Sequence, residues 1–158
     1  MSRESRAGNP ESKPSADDRY SRSVLFSGIG PEGQRRIRSF SIALVGAGAV
    51  GAVAAEAAVR AGFGRITLID RDVVEPSNLS RQFLFDAEDA ARIAPKADAA
   101  AERLREIDAS IPVTPVVADL DHRNARELLG GHGLVFDASD NFETRLLVSD
   151  AARSLGLP

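Results

Sequence analysis

No cysteine occurs among the 158 residues, and that absence alone removes disulfides, thiolate zinc sites and any thioester or persulfide step on this chain. Histidine is almost as scarce, with only the isolated His122 and His132, so no histidine metal centre is expected. The chain also lacks a hydrophobic run of membrane length. Its longest uncharged apolar stretch, residues 42–55, ends at Glu56 after fourteen residues, whereas a spanning helix takes about twenty. Charge of one sign is missing too. With 20 Lys and Arg against 23 Asp and Glu the net charge is −3, which gives no general attraction to nucleic acid or to an anionic membrane. Neither partner is expected, and the reduced cytoplasm suits a chain without cysteine.

What remains is ordinary globular material: 43% hydrophobic and 27% charged residues, at about one domain per 150 residues. Residues 1–18 are Ser, Pro and charge with no apolar core segment, which predicts a disordered tail rather than a signal peptide. From there the pattern alternates. Two short helices are expected over 19–29 and 31–40, divided by Gly28, Gly30 and Pro31. A strand over 41–45 opens into a helix over 49–61 that is apolar nearly all round and should be covered on most sides. Strands at 65–70, 112–117 and 133–136 alternate with helices at 95–109, 123–129 and 141–155. Strands separated by helices predict a Rossmann-like α/β fold with a doubly wound parallel sheet, whose ligands lie beyond the carboxyl ends of the strands.

The residues that fall at those ends carry the chemistry. Gly46-x-Gly48-x-x-Gly51, between a strand and a helix, lets backbone N–H groups approach a phosphate. Asp70 follows at the end of the second strand, where a carboxylate can accept from ribose hydroxyls. Up to this point NAD, FAD and ATP fit equally. The segment 70–82 favours a triphosphate, because Ser77, Asn78 and Arg81 stand where a dehydrogenase needs an apolar slot for nicotinamide. Lys96 at a helix start is either an ordinary surface lysine or a further phosphate ligand. Asp140 with Asn141, just past the last strand, suits either Mg²⁺ on the phosphates or an N-cap.

Six co-linear stretches, Arg19-Tyr20-Ser21-Arg22, Gly33-Gln34, the Gly46 to Gly51 loop, Ser77-Asn78-Leu79-Ser80-Arg81-Gln82, Pro95-Lys96-Ala97 and Asp137-Ala138-Ser139-Asp140-Asn141-Phe142, resemble the ThiF/MoeB/HesA family. These are relatives of ubiquitin-activating enzymes that adenylate ubiquitin-like sulfur carrier proteins. The resemblance implies ATP-dependent adenylation of a carrier's C-terminal carboxylate. It implies that the Ala49 backbone contacts the nucleotide, that Asp70 holds ribose, and that Ser77, Asn78, Arg81 and Lys96 surround the phosphates. Asp140 would hold Mg²⁺ beside Asn141, and Arg22 would reach the nucleotide of the partner protomer in a homodimer. The match departs at Ser23, where the family usually has Gln, and at Ala49, often Gly. It departs most at the end. Further strands and Cys-x-x-Cys zinc pairs usually follow, so residues 19–158 read as an adenylation domain lacking its C-terminal strands, with no zinc site. Two alternatives are a non-catalytic carrier- or nucleotide-binding paralogue and a NAD-dependent oxidoreductase. An uncovered edge on the last strand would favour self-association beyond a dimer.

Overall fold

The computed structural model of the chain describes residues 19–158; the tail expected over 1–18 lies outside them. Two helices lead in, α1 (Ser21–Leu25) and α2 (Gly30–Ser39). The first is shorter than the 19–29 expectation because Phe26 is already extended, with φ −75° and ψ 120°. Pro31 sits in the first turn of α2, where its missing N–H is harmless. The alternation follows as β1 (Ser41–Val45), α3 (Ala49–Ala61), β2 (Arg65–Ile69), a 3₁₀ turn (Pro76–Asn78), α4 (Ala87–Ala91), α5 (Lys96–Ile107), β3 (Val113–Val116), α6 (Ala125–Leu129), β4 (Leu134–Asp137) and α7 (Phe142–Leu155). The 3₁₀ turn and α4 are additions to the expected pattern. Helix α4 exists through its cap: Asp86 accepts from the Glu88 and Asp89 amides, and Asp89 accepts in return from the Asp86 amide.

The four strands are parallel and lie in the order β3-β2-β1-β4. From β1 the chain winds outward through β2 and β3, then returns to the other side of β1 as β4. The winding therefore reverses between β1 and β4, and the crevice at their carboxyl ends is the place a ligand occupies in such sheets. Strand alternation builds two cores. Ile42, Leu44, Ile66 and Leu68 meet α3 and α5 on one face, whereas Ala43, Val45 and Ile69 meet α6 and α7 on the other. On that second face the polar Thr67 is satisfied by His132, whose Nε2 lies 2.9 Å from the hydroxyl while Nδ1 donates to the Leu129 carbonyl at 3.1 Å.

Helix α3 departs from its expectation. Ala52, Ala55, Ala58 and Val59 are buried, but Val50 and Val53 stay 62% and 52% exposed, so one apolar side has no cover among the described residues. The two sheet edges also differ. On β3 the Pro112 and Val116 carbonyls accept from the Ile66 and Asp70 amides, so Pro115 is turned to the outer edge, where a missing N–H breaks no ladder. On β4 the outward Val135 amide donates to the Pro158 carbonyl at 3.0 Å. Among the described residues no helix is long and apolar enough to cross a membrane.

Tyr20 anchors the leading segment. Its ring fills a notch that exists because Gly62 has no side chain, since a Cβ there would lie 2.5 Å from the ring. The Tyr20 hydroxyl donates to Asp108 Oδ2 at 3.3 Å, and Asp108 also accepts from the Ser110 amide and hydroxyl beside Arg19. Burial works to raise the Asp108 pKa, but the Ser110 bonds together with Arg19 and Tyr20 outweigh it and hold the carboxyl below its ordinary value. A depressed carboxyl contributes stability above the ordinary range and loses it as pH falls through the lowered value. Between neutral pH and about pH 3, wild type should therefore lose more of its urea midpoint than Asp108→Asn does. Equal losses in both proteins would remove Asp108 from the acid response.

Candidate nucleotide site

Three glycines after β1 have three different jobs. Gly46 makes the turn itself, with φ +94° and its amide donating to the Ile69 carbonyl at 2.8 Å. Gly51 lets α3 close on that turn, because a Cβ there would sit 1.8 Å from the Gly46 carbonyl oxygen. At Gly48 the nearest atom to a Cβ would be Gln82 Nε2 at 3.8 Å, so the middle of the loop is open. Gly48 is also the N-cap of α3, and no side chain bonds the helix's first amides. Those free donors and the positive helix end face the crevice.

Asp70, at the end of β2, is fixed rather than free. Its Oδ2 accepts from the Ala47 amide at 2.6 Å and its Oδ1 from the Asp72 amide at 2.8 Å. A carboxylate offers about four acceptor positions, so it still has capacity for two more donors. Beyond it, residues 72–74 pair with 94–96: the Lys96 amide donates to the Asp72 carbonyl and the Val74 amide to the Ala94 carbonyl. That pairing seats Lys96 at the start of α5, with its side chain only 10% exposed and its Nζ 3.0 Å from Asp72 Oδ2. The surface-lysine reading is therefore corrected.

The 137–141 loop closes the opposite wall. Its Ala138 amide donates to the Val45 carbonyl, extending β4 along β1. Asn141 caps α7, its Oδ1 accepting from the Thr144 amide at 2.8 Å. Asp140 is exposed and makes no hydrogen bond or ion pair among the described residues.

A cavity of about 440 Å³ lies between these elements, and a second of about 470 Å³ beside it shares Arg71, Asp119, Leu120, Asn141 and Thr144 as walls. Of the residues singled out in the sequence, Gly46, Gly48, Ala49, Asp70, Arg81, Lys96, Asp140 and Asn141 are on the wall of the first cavity. Gly51 packs beneath it. Ser77 and Asn78 are off the wall because they serve the 3₁₀ turn: buried Asn78 accepts from the Glu75 amide, and the Ser77 hydroxyl reaches the Glu75 carboxylate. Arg22 is exposed on α1, also off this wall. Sequence reasoning gave no role to Arg71, Gln82 or Arg145, all of which line the cavity. Gln82 had a signal, since it belongs to the quoted motif. It is 5% exposed, and its Oε1 has no partner among the described residues.

Four cations reach this wall, and three are matched by acids: Arg71 with Asp119 at 2.8 Å, Lys96 with Asp72 at 3.0 Å and Arg145 with Asp137 at 3.3 Å. Arg81 is the one without an acidic partner among the described residues, tied only by Nη1 donating to the Ser77 carbonyl at 2.8 Å. Among those residues no three His, Cys, Asp or Glu converge as a metal cage. The single free carboxylate of Asp140 instead fits magnesium carried on phosphates, which takes one or two carboxylates and keeps water.

A doubly wound sheet with this glycine turn and an acidic residue ending its second strand defines a Rossmann-like α/β protein. The chain belongs to the ThiF family, whose model matches residues 20–158. It is 47% identical over 140 residues to the sulfur carrier protein ThiS adenylyltransferase of Bacillus subtilis, covering 89% of this chain and 42% of that protein. It is 43% identical over 141 residues to the SAMP-activating enzyme E1 of Haloferax volcanii, covering 89% and 52%. Among solved structures, E. coli tRNA N6-threonylcarbamoyladenosine dehydratase, TcdA, in complex with ATP superposes with a TM-score of 0.83 at 29% identity, over 93% of this chain and 60% of that one. The chain thus spans about half the length of the curated relatives it matches.

Proposed function

We propose that this chain carries the ATP-dependent adenylation site for the C-terminal carboxylate of a ubiquitin-like sulfur carrier protein. The observation that carries the reading is the composition of the crevice at the β1/β4 reversal. Free amides of α3, a fixed Asp70, Lys96, an unmatched Arg81 and a free Asp140 share one wall. That set suits a nucleoside triphosphate, whose negative charge has to be held and offset. The relatives at 43–47% identity are named for sulfur carriers or SAMP activation, whereas the ATP-bound dehydratase stands at 29%, so the carrier is favoured as second substrate. Retention of Arg81, Lys96 and Asp140 on the wall favours turnover over a purely binding paralogue.

In this reading the carrier's carboxylate oxygen bonds to the α-phosphorus. The bond from that phosphorus to the oxygen bridging the β-phosphate breaks, and pyrophosphate leaves with the electron pair. No protein nucleophile takes part, in keeping with a chain that has no cysteine. Two anions must be brought together, so the protein's work is positioning and charge neutralisation. Asp70 accepts from the ribose, the Gly48 and Ala49 backbone approaches the phosphates, and Arg81 and Lys96 offset their charge. Asp140, with Asn141 beside it, would hold magnesium, which when bound neutralises phosphate charge. Arg22 belongs to this scheme as a group donated to a partner protomer. The uncovered Val50 and Val53 on α3 support a homodimer, because Val50 is also on the cavity wall. A reaction that consumes ATP, on a chain without cysteine, suits the cytoplasm.

The test is exchange of labelled pyrophosphate into ATP. It should proceed only when a ThiS-type carrier with a free C-terminus is present. Exchange indifferent to the carrier, or NAD binding without ATP binding, would overturn the assignment.

A further inference from the structure

The 137–141 loop holds more polar bonds than an N-cap requires. Asp137 Oδ1 accepts from the Ser139 amide at 2.9 Å and from its hydroxyl at 2.6 Å. The other carboxylate oxygen of Asp137 faces Arg145 Nε at 3.3 Å, and Arg145 Nη2 donates to the Ser139 carbonyl at 2.8 Å. One guanidinium therefore grips both the aspartate and the backbone two residues beyond it. A planar fork of donors can do this; an ammonium cannot do both in that geometry. The glycine turn closes the other side, since a Cβ on Gly46 would lie 2.8 Å from the Ala138 carbonyl oxygen. With Asn141 occupied at the cap, the Asp140 carboxylate is the side chain of residues 137–141 that is polar and uncommitted.

We propose that Arg145 is a positioning residue: by tying Asp137 to the Ser139 carbonyl it holds the loop so that Asp140 is the carboxylate presented to the cavity. This rests on the nucleotide reading above and extends it to a residue not among the expected ligands. Arg145 also matches the charge of Asp137, so a triphosphate meets one uncompensated carboxylate on this loop rather than two. The ion pair is partly solvated, with Arg145 55% and Asp137 21% exposed, so it adds little to global stability and its loss leaves the protein folded.

The experiment compares wild type with Arg145→Gln and Arg145→Lys. Three readouts are needed: hydrogen exchange of the Ser139 amide without nucleotide, ATP affinity without divalent ion, and the Mg²⁺ concentration that half-saturates ATP binding. In both variants the Ser139 amide should exchange faster, and the Mg²⁺ requirement should rise about 10–100-fold, the cost typical of losing an outer partner of a metal ligand. Metal-free ATP affinity should stay as in wild type in Arg145→Lys, which keeps a positive charge opposite Asp137, and fall in Arg145→Gln, which does not. A drop in metal-free affinity in the Lys variant as well would make Arg145 a direct phosphate contact and overturn the proposal. Unchanged Ser139 exchange would overturn it as well. Should wild type bind no ATP at all, the nucleotide reading fails, and the Ser139 comparison still decides whether Arg145 braces the loop.

Discussion

Replacing Arg81 with alanine is expected to slow carrier-dependent pyrophosphate exchange about 10²- to 10³-fold, the scale of removing one pre-positioned donor from developing charge. The size follows from charge matching on the wall. Arg71, Lys96 and Arg145 each spend their charge on a neighbouring aspartate, whereas Arg81 has only the Ser77 carbonyl. Its positive charge is therefore the least compensated on the cavity wall. Arg81 is exposed and makes no ion pair, so the variant should unfold at the wild-type denaturant concentration. Rate loss should appear mainly in turnover, because charge moves onto the leaving pyrophosphate as the reaction proceeds. Mixing this variant with Arg22→Ala protein should recover part of the rate if Arg22 acts across a dimer. A loss confined to KM would reduce Arg81 to a ground-state contact, and full activity would remove it from the site.

The second large effect separates two glycines of one loop. Gly51→Ala should cost about 3 kcal/mol or more of stability, because the new Cβ would stand 1.8 Å from the Gly46 carbonyl oxygen. That oxygen has nowhere to go. Gly46 is bonded to Ile69 on one side and abuts Ala138 on the other, and its φ of +94° suits glycine alone. Gly48→Ala meets only the Gln82 amide at 3.8 Å, at an ordinary φ of −71°. It should fold as wild type and lose nucleotide affinity, since its methyl enters the space a phosphate would take. Urea unfolding and nucleotide titration on both variants check the contrast. Wild-type stability in Gly51→Ala, or wild-type binding in Gly48→Ala, would break the division of labour.

Much of this architecture could be read from residue order. Strands of four or five apolar residues between longer helices leave one economical arrangement, and β4 does lie beside β1 as such winding requires. The glycine spacing placed the turn, and Asp70 fell at the end of β2 as expected. What escaped was set by hydrogen bonds too local, or contacts too distant, for periodicity. Helix α4 is five residues stabilised by the Asp86–Asp89 box, too short to show a repeat. A second role of Asn78 escaped: its Oδ1 accepts from the Glu75 amide three residues before it, the usual competition for short polar side chains. Lys96 is sheltered because residues 72–74 pair with 94–96, a contact between distant segments that no local pattern encodes. Arg145 was invisible for the opposite reason: its partners lie in the loop just before its own helix, and a lone arginine in a first turn carries no signal.

The unlike edges of the sheet give it a direction of growth. At the β3 rim, Pro115 offers no hydrogen where an incoming strand would need one, so that rim acts as a terminator. At the β4 rim, the Val135 amide already has a main-chain partner in Pro158, so a docking register is in place there. A strand added beside β4 would meet a main-chain register already begun there, whereas one added beside β3 would lack a donor at Pro115. Enlargement beside β4 would remodel the surroundings of Asp140 and leave the glycine turn and Asp70 as they are.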